Sequence, residues 1–264
     1  MKPKVLALTG YGINCDEETK FAFEKAGANV DIVHINDLID SYKKLNDYQI
    51  LAFPGGFSYG DDTGSGNAFA NRIKNNLWEE IKTFTEKDSL AIGICNGFQV
   101  MVNLGLLPAL KGEYEQQVVL THNTSARYEC RWVDLQFEGK SIWVQGIDKI
   151  SLPIAHGEGR FYAERKVLKR LKKKKLIAAR YIKGDICKYQ NLEANPNGSL
   201  ENIAGITDES GRLIGMMPHP ERAIDFTQLP NWPLLKEQYK RTSKKLPSEG
   251  IGIRIFQNAV KYFK

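Results

Sequence analysis

The sequence predicts an α/β fold: a mostly parallel central sheet with helices on both faces, plus antiparallel strands in the middle of the chain. Three observations carry this expectation. Short apolar runs alternate with helix-patterned segments over residues 4–104, the order that builds a parallel sheet covered on both sides. Two of those runs lead straight into glycine turns, Pro54-Gly55-Gly56 and Gly93-Ile94-Cys95-Asn96-Gly97. From about residue 128 the pattern becomes an apolar–polar alternation, typical of half-exposed antiparallel strands.

The elements follow in order. Residues 5–8 read as a buried strand. Residues 16–26 have helical spacing, with acidic side chains in the first turn where the helix dipole favours them, and Gly27 ends the helix. Residues 30–35 and 50–53 are the next strands, 68–85 a helix, 90–94 a fourth strand, and 97–104 the helix after it. Residues 128–137, 141–145 and 152–155 are expected as half-exposed strands, 176–181 and 203–206 as further strands. Glu209-Ser210-Gly211-Arg212 is a hairpin-like turn into a strand at 213–217. Residues 228–250, rich in Pro and Lys, are expected to wrap the surface before a closing helix at 251–263. No internal repeat or low-complexity linker interrupts the chain, which is read as one domain over residues 1–264.

Composition narrows the function classes. The net charge of +6 owes much to one run, Lys172-Lys173-Lys174-Lys175, read as a solvated helix face. No aromatic-plus-glycine recognition motif accompanies it, so nucleic acid is not expected as a partner. The apolar run at residues 5–8 is too short for a signal peptide or a membrane span, so no membrane is expected either. The cysteines Cys15, Cys95, Cys130 and Cys187 form no Cys-x-x-Cys pair, and no metal site is expected. A cytoplasmic protein with free thiols is the expectation.

One cysteine stands apart. Gly93-x-Cys95-x-Gly97 lies between a strand and a helix, where Gly-x-nucleophile-x-Gly forms a sharp elbow. Such a turn aims the thiol at a helix N-terminus, which favours thiolate, and frees the N–H of Asn96 for a developing oxyanion. A thiol nucleophile needs a base, and the base an orienting group. His219-Pro220-Glu221 supplies both, on the expectation that in an extended segment the two side chains leave on the same side. His156-Gly157-Glu158 offers the same pairing, and residue chemistry alone leaves both open with preference for His219. His34, inside a strand, is expected to pack or sit at the surface. Gly55-Gly56-Phe57 is the candidate second oxyanion donor, because glycine lets the backbone approach a ligand.

These residues resemble the class I, triad-type glutamine amidotransferases. Within them, Gly55 to Asp61, Cys95-Asn96-Gly97-Phe98-Gln99, Asn123-Thr124-Ser125-x-Arg127, His156-Gly157-Glu158-Gly159 and Met216 to Arg222 resemble the glutaminase components of phosphoribosylformylglycinamidine synthase, over about residues 4–225. The resemblance implies a flavodoxin-like sheet and a Cys95–His219–Glu221 triad that hydrolyses L-glutamine through a thioester. Gly56 and Asn96 would form the oxyanion hole. Gly55, Phe57, Gln99, Asn123, Ser125 and Arg127 would join them around the substrate. The chain itself would hold no cofactor. ATP and magnesium would be used by a large synthetase subunit receiving the ammonia in purine synthesis, with a small bridging subunit as a third partner. His156 would not be the base but would lie near the ammonia exit or the partner interface. Segments near 185–194 and 227–248 look inserted relative to shorter members. The alternatives are another class I amidotransferase, or a cysteine amidase, with a different acceptor.

Overall fold

The structure is a computed structural model and describes residues 2–40 and 42–264. The strands are β1 (Lys4–Thr9), β2 (Asn29–His34), β3 (Ile50–Phe53), β4 (Leu90–Ile94), β5 (Val118–Thr121), β6 (Glu129–Phe137), β7 (Lys149–His156), β8 (Arg160–Ala163), β9 (Ile177–Ile182), β10 (Ile203–Thr207) and β11 (Leu213–Met216). Nine of them make one sheet in the order β2-β1-β3-β4-β11-β10-β9-β6-β7, while β5 and β8 pair separately. From β2 to β11 every neighbour is parallel; from β11 to β7 every neighbour is antiparallel. The two pairing modes expected from the sequence therefore share one sheet.

The parallel half explains the apolar runs. β3 and β4 are buried at every position because helices cover both faces. Helix α1 (Asp16–Ala26) follows β1 and leads outward to β2, whereas α3 (Asn67–Asn76) and α4 (Trp78–Glu86) lead the other way from β3 to β4. Right-handed crossovers in opposite directions put these helices on opposite faces. Gly27, at φ 100°, closes α1 as expected. Phe23 of α1 meets Phe256 of the closing helix α9 (Ile253–Tyr262), with ring centroids 4.8 Å apart. On the other face α5 (Asn96–Asn103), the helix after Cys95, packs on β3, β4 and β11.

Several elements differ from expectation. The helix expected over 68–85 breaks at Leu77, whose fully buried side chain anchors the corner. Residues 142–144 form a 3-10 turn, not a strand, and bury Trp143 against Phe23. The stretch expected to wrap the surface contains α8 (Trp232–Arg241), and a short helix α7 (Asp185–Gln190) follows β9. α2 (Ile35–Asp40) also escaped notice. The lysine run lies on α6 (Arg165–Lys174), of which Leu171 alone is buried, so it is the solvated face expected; Lys172 and Lys174 pair with Glu201 and Glu209.

Candidate active site

The strand order reverses between β1 and β3, and ligands in such sheets sit beyond the carboxyl ends of the strands near that point. The loops after β1, β3, β4 and β11 all converge there. Cys95 follows β4 with φ 52° and ψ −108°, a left-handed backbone that a non-glycine residue adopts at a cost. The flanking glycines make the turn possible. A Cβ on Gly97 would stand 1.8 Å from the carbonyl oxygen of Phe53, and one on Gly93 2.7 Å from that of Gly97. The Cys95 N–H donates to Met216 O at 2.8 Å, tying the elbow to β11. The sulfur lies 3.6 Å from the carbonyl oxygen of Ala155.

His219 is held by its own N–H, which donates to Pro153 O at 2.8 Å, so β7 braces the base. Its Nδ1 stands 2.5 Å from Glu221 Oε1, and both side chains are buried. They meet through a turn: Pro220 opens a 3-10 turn over Pro220–Arg222, in place of the expected extended segment. Burial alone would lower the His219 pKa. The negative charge of Glu221, then that of Cys95, outweighs it and holds the imidazole well above its ordinary value. Cys95 and His219 meet at Gly55, where a Cβ would lie 2.9 Å from His219 Cε1 and 3.5 Å from Cys95 Cβ.

Gly56 and Asn96, expected as oxyanion donors, have the following backbone surroundings. Gly56 has φ 153°, and a Cβ there would strike Gly12 O at 2.5 Å, so glycine is required. Among the described residues no acceptor takes the N–H of Gly56 or that of Asn96, whereas the Phe57 N–H is bound to Gly12 O at 2.8 Å. The remaining candidates divide. Gln99 is buried, its amide donating to Glu158 O at 2.6 Å and accepting from Asn96 Nδ2 at 2.9 Å, so it braces the elbow. Asn123 spends its whole amide on the protein: Nδ2 donates to Arg127 O and His156 O, and Oδ1 faces His156 Nδ1 and Gly159 N. Ser125 and Arg127 are exposed on the same loop. Phe57 and Tyr128 form a half-exposed aromatic pair, centroids 6.0 Å apart. Burial and then the Cys95 charge raise the Tyr128 phenol above its ordinary value.

His156 is 2 % exposed, so it lies inside the wall of the site and not on an outer face. Its pKa is pushed down to about 3 by burial and then by the charge of His219. His34 accepts from Asn36 N and meets Tyr11 edge-on, as a surface histidine. Three residues around Cys95, His219 and Glu221 lie outside those expected at the site: Tyr128, Arg222 and Cys15. Arg222 Nη2 donates to Cys15 Sγ at 2.8 Å. Cys15 carries no glycine elbow, and residues 15 and 222 have no sequence pattern linking them; only the position of Cys15 after the first strand hinted at the site.

The family model that matches residues 2–263 is that of the CobB/CobQ-like glutamine amidotransferase domain. The chain belongs to this glutamine amidotransferase family. Relatives include a protein of Methanococcus maripaludis named phosphoribosylformylglycinamidine synthase subunit PurQ, 53 % identical over 99 % of this chain and 97 % of the relative. A second, of the same name, from Dehalococcoides mccartyi, is 44 % identical over 99 % and 98 %. Among solved structures, PurLQS from Thermotoga maritima has a chain that matches this amidotransferase with TM-score 0.73 and 31 % identity, over 100 % of both chains. No helix among the described residues of this amidotransferase is long and apolar enough to cross a membrane.

Proposed function

We infer that the chain is the glutaminase subunit of phosphoribosylformylglycinamidine synthase, supplying ammonia from glutamine for purine synthesis. One observation carries the chemistry: a cysteine on a left-handed elbow faces a buried histidine whose Nδ1 is 2.5 Å from a carboxylate. The names of the relatives carry the choice of acceptor.

The Cys95 thiolate attacks the side-chain amide carbon of L-glutamine. The oxyanion settles against the N–H groups of Gly56 and Asn96. The carbonyl re-forms, the C–N bond breaks, and His219 protonates the departing nitrogen, giving ammonia and a γ-glutamyl thioester. A water, deprotonated by His219, then attacks the thioester; the C–S bond breaks and glutamate leaves. Glu221 holds the imidazole in the tautomer that points Nε2 at the sulfur. Asn123 and Gln99 support the walls, and Phe57 and Tyr128 border the mouth.

This subunit works with a large synthetase subunit that binds ATP and magnesium, and with a small bridging subunit; it needs no cofactor of its own. Free thiols at the site fit the cytoplasm. Since loose ammonia is protonated and lost in water, hydrolysis is slow in the lone subunit and rises when the synthetase and its nucleotide dock. The test is a glutamine analogue bearing an electrophile, which labels Cys95, followed by transfer of glutamine nitrogen to formylglycinamide ribonucleotide when synthetase is added. A labelled Cys95 without such transfer would leave an amidotransferase of another acceptor; no labelling would refute the triad.

A further inference from the structure

Cys15 has no part in that cycle, yet it stands in the crevice between β1 and β3 where the strand order reverses. Its Sγ, a ring nitrogen of His219 and a carboxylate oxygen of Glu221 all lie within 4.8 Å of one another, and all three residues are buried. Two polar atoms in the group, His219 Nε2 and Glu221 Oε2, are buried without a hydrogen-bond partner among the described residues. Gly55 keeps the space open: a Cβ there would lie 3.1 Å from Cys15 Sγ and 2.9 Å from His219 Cε1. Cys95 borders the same gap, its Cβ 3.5 Å from where that Cβ would stand. The guanidinium of Arg222, 2.8 Å from Cys15 Sγ, supplies the positive charge that this sulfur faces.

A cysteine sulfur, an imidazole and a carboxylate converging on one point are the donors that zinc and its neighbours select. We propose that Cys15, His219 and Glu221 form an inhibitory site for a thiophilic divalent cation of the zinc class, completed by the Cys95 sulfur or by water. Occupation removes the lone pair of the base and the carboxylate that orients it, so glutamine hydrolysis stops while the metal is bound. Zinc–ligand distances of about 2.0–2.3 Å ask the three donors to draw together by about 1 Å. Arg222 must leave Cys15, and its side chain, 34 % exposed, has solvent to move into. Arg222 and the metal therefore compete for one sulfur. Cys15 lies far in sequence from His219-Pro220-Glu221, which is why no metal motif is visible in the sequence.

The inhibition rests on the proposed glutaminase activity; the binding does not. The experiment titrates cobalt(II) into the full, chelator-treated chain and follows thiolate-to-cobalt absorption. It then measures zinc inhibition of each active variant relative to its own metal-free rate. Cys95→Ser, which has no turnover, keeps a thiolate–cobalt band. In Cys15→Ser that band weakens, metal affinity falls about 10–100-fold, and half-inhibition needs at least about tenfold more zinc. Glu221→Gln weakens binding as well. Arg222→Gln, at a partly exposed side chain, tightens it, which separates ligation from damage to the fold. Cobalt binding and zinc inhibition unchanged in Cys15→Ser overturn the proposal, as does a Cys95→Ser chain that binds no metal. A Cys15-dependent cobalt band in a chain without glutaminase activity would leave the metal site standing and remove the proposed function.

Discussion

The molecule contains two His-x-Glu turns at strand ends, and they behave in opposite ways. His219-Pro220-Glu221 follows β11; His156-Gly157-Glu158 starts at the last residue of β7. Both imidazoles are 2 % exposed. In the first, Pro220 opens a 3-10 turn that brings Glu221 to 2.5 Å from Nδ1, and the ring's pKa is held well above its ordinary value. In the second, Glu158 turns away, its carboxylate accepting from Ser65 N at 3.3 Å, and Nδ1 finds only the amide of Asn123. That ring is held neutral. Equal spacing and equal burial give a carboxylate-paired imidazole in one place and an amide-bound one in the other; the position of the carboxylate decides.

Breaking the first turn has the largest expected effect. His219→Gln, like Cys95→Ser, lowers kcat for glutamine hydrolysis by about 10³-fold or more, measured as ammonia release by folded protein. Glu221→Gln keeps a hydrogen-bonding shape but loses the charge that fixes the tautomer, and costs about 10²-fold in kcat. If His156→Gln matched either loss, the contrast between the turns would be wrong; its glutaminase rate is expected to stay within a few-fold of the parent.

Stability against pH sharpens the contrast, because the signs oppose. The folded pKa of His219 is raised above its unfolded value of about 6.5, so its contribution is complete below about pH 6.5 and is lost as pH rises through the folded value. His156 is depressed to about 3, so its contribution is present above about pH 6.5 and is lost as pH falls from there toward 3. Urea unfolding across pH should show His156→Gln flattening the acid limb and His219→Gln flattening the alkaline one. The smallest effect belongs to the mouth: Phe57→Ala or Tyr128→Ala raises KM a few-fold, about 1 kcal/mol from the lost aromatic contact, with kcat little changed.

Much of this was legible in the residues. The parallel strands β3 and β4 are uniformly apolar because they are covered twice, and the elbow glycines are dictated by local clashes, so both left marks in the sequence. Helix α8 left none, since none of its residues is buried and no apolar stripe had to be kept. Trp143 misled in the other direction: an apolar run of three in an irregular turn looks like a strand when the burial of its tryptophan depends on Phe23, far away in the chain. The same distance hid Cys15 and Arg222, whose meeting depends on the sheet order. Asn123, expected as a substrate contact, has its amide taken up by Arg127 O, His156 O and Gly159 N, partners that only the surrounding backbone reveals.

The contact of Gly97 with the Phe53 carbonyl fixes a spacing between two functional parts. Strand β3 delivers Gly56, and α5 begins beside the sulfur; with no side chain between them, helix and strand act as one block. The Gly56 N–H and the Cys95 sulfur, in the proposed roles of oxyanion donor and nucleophile, thus shift together or not at all, so an inhibitor built to span both meets a target of constant dimensions.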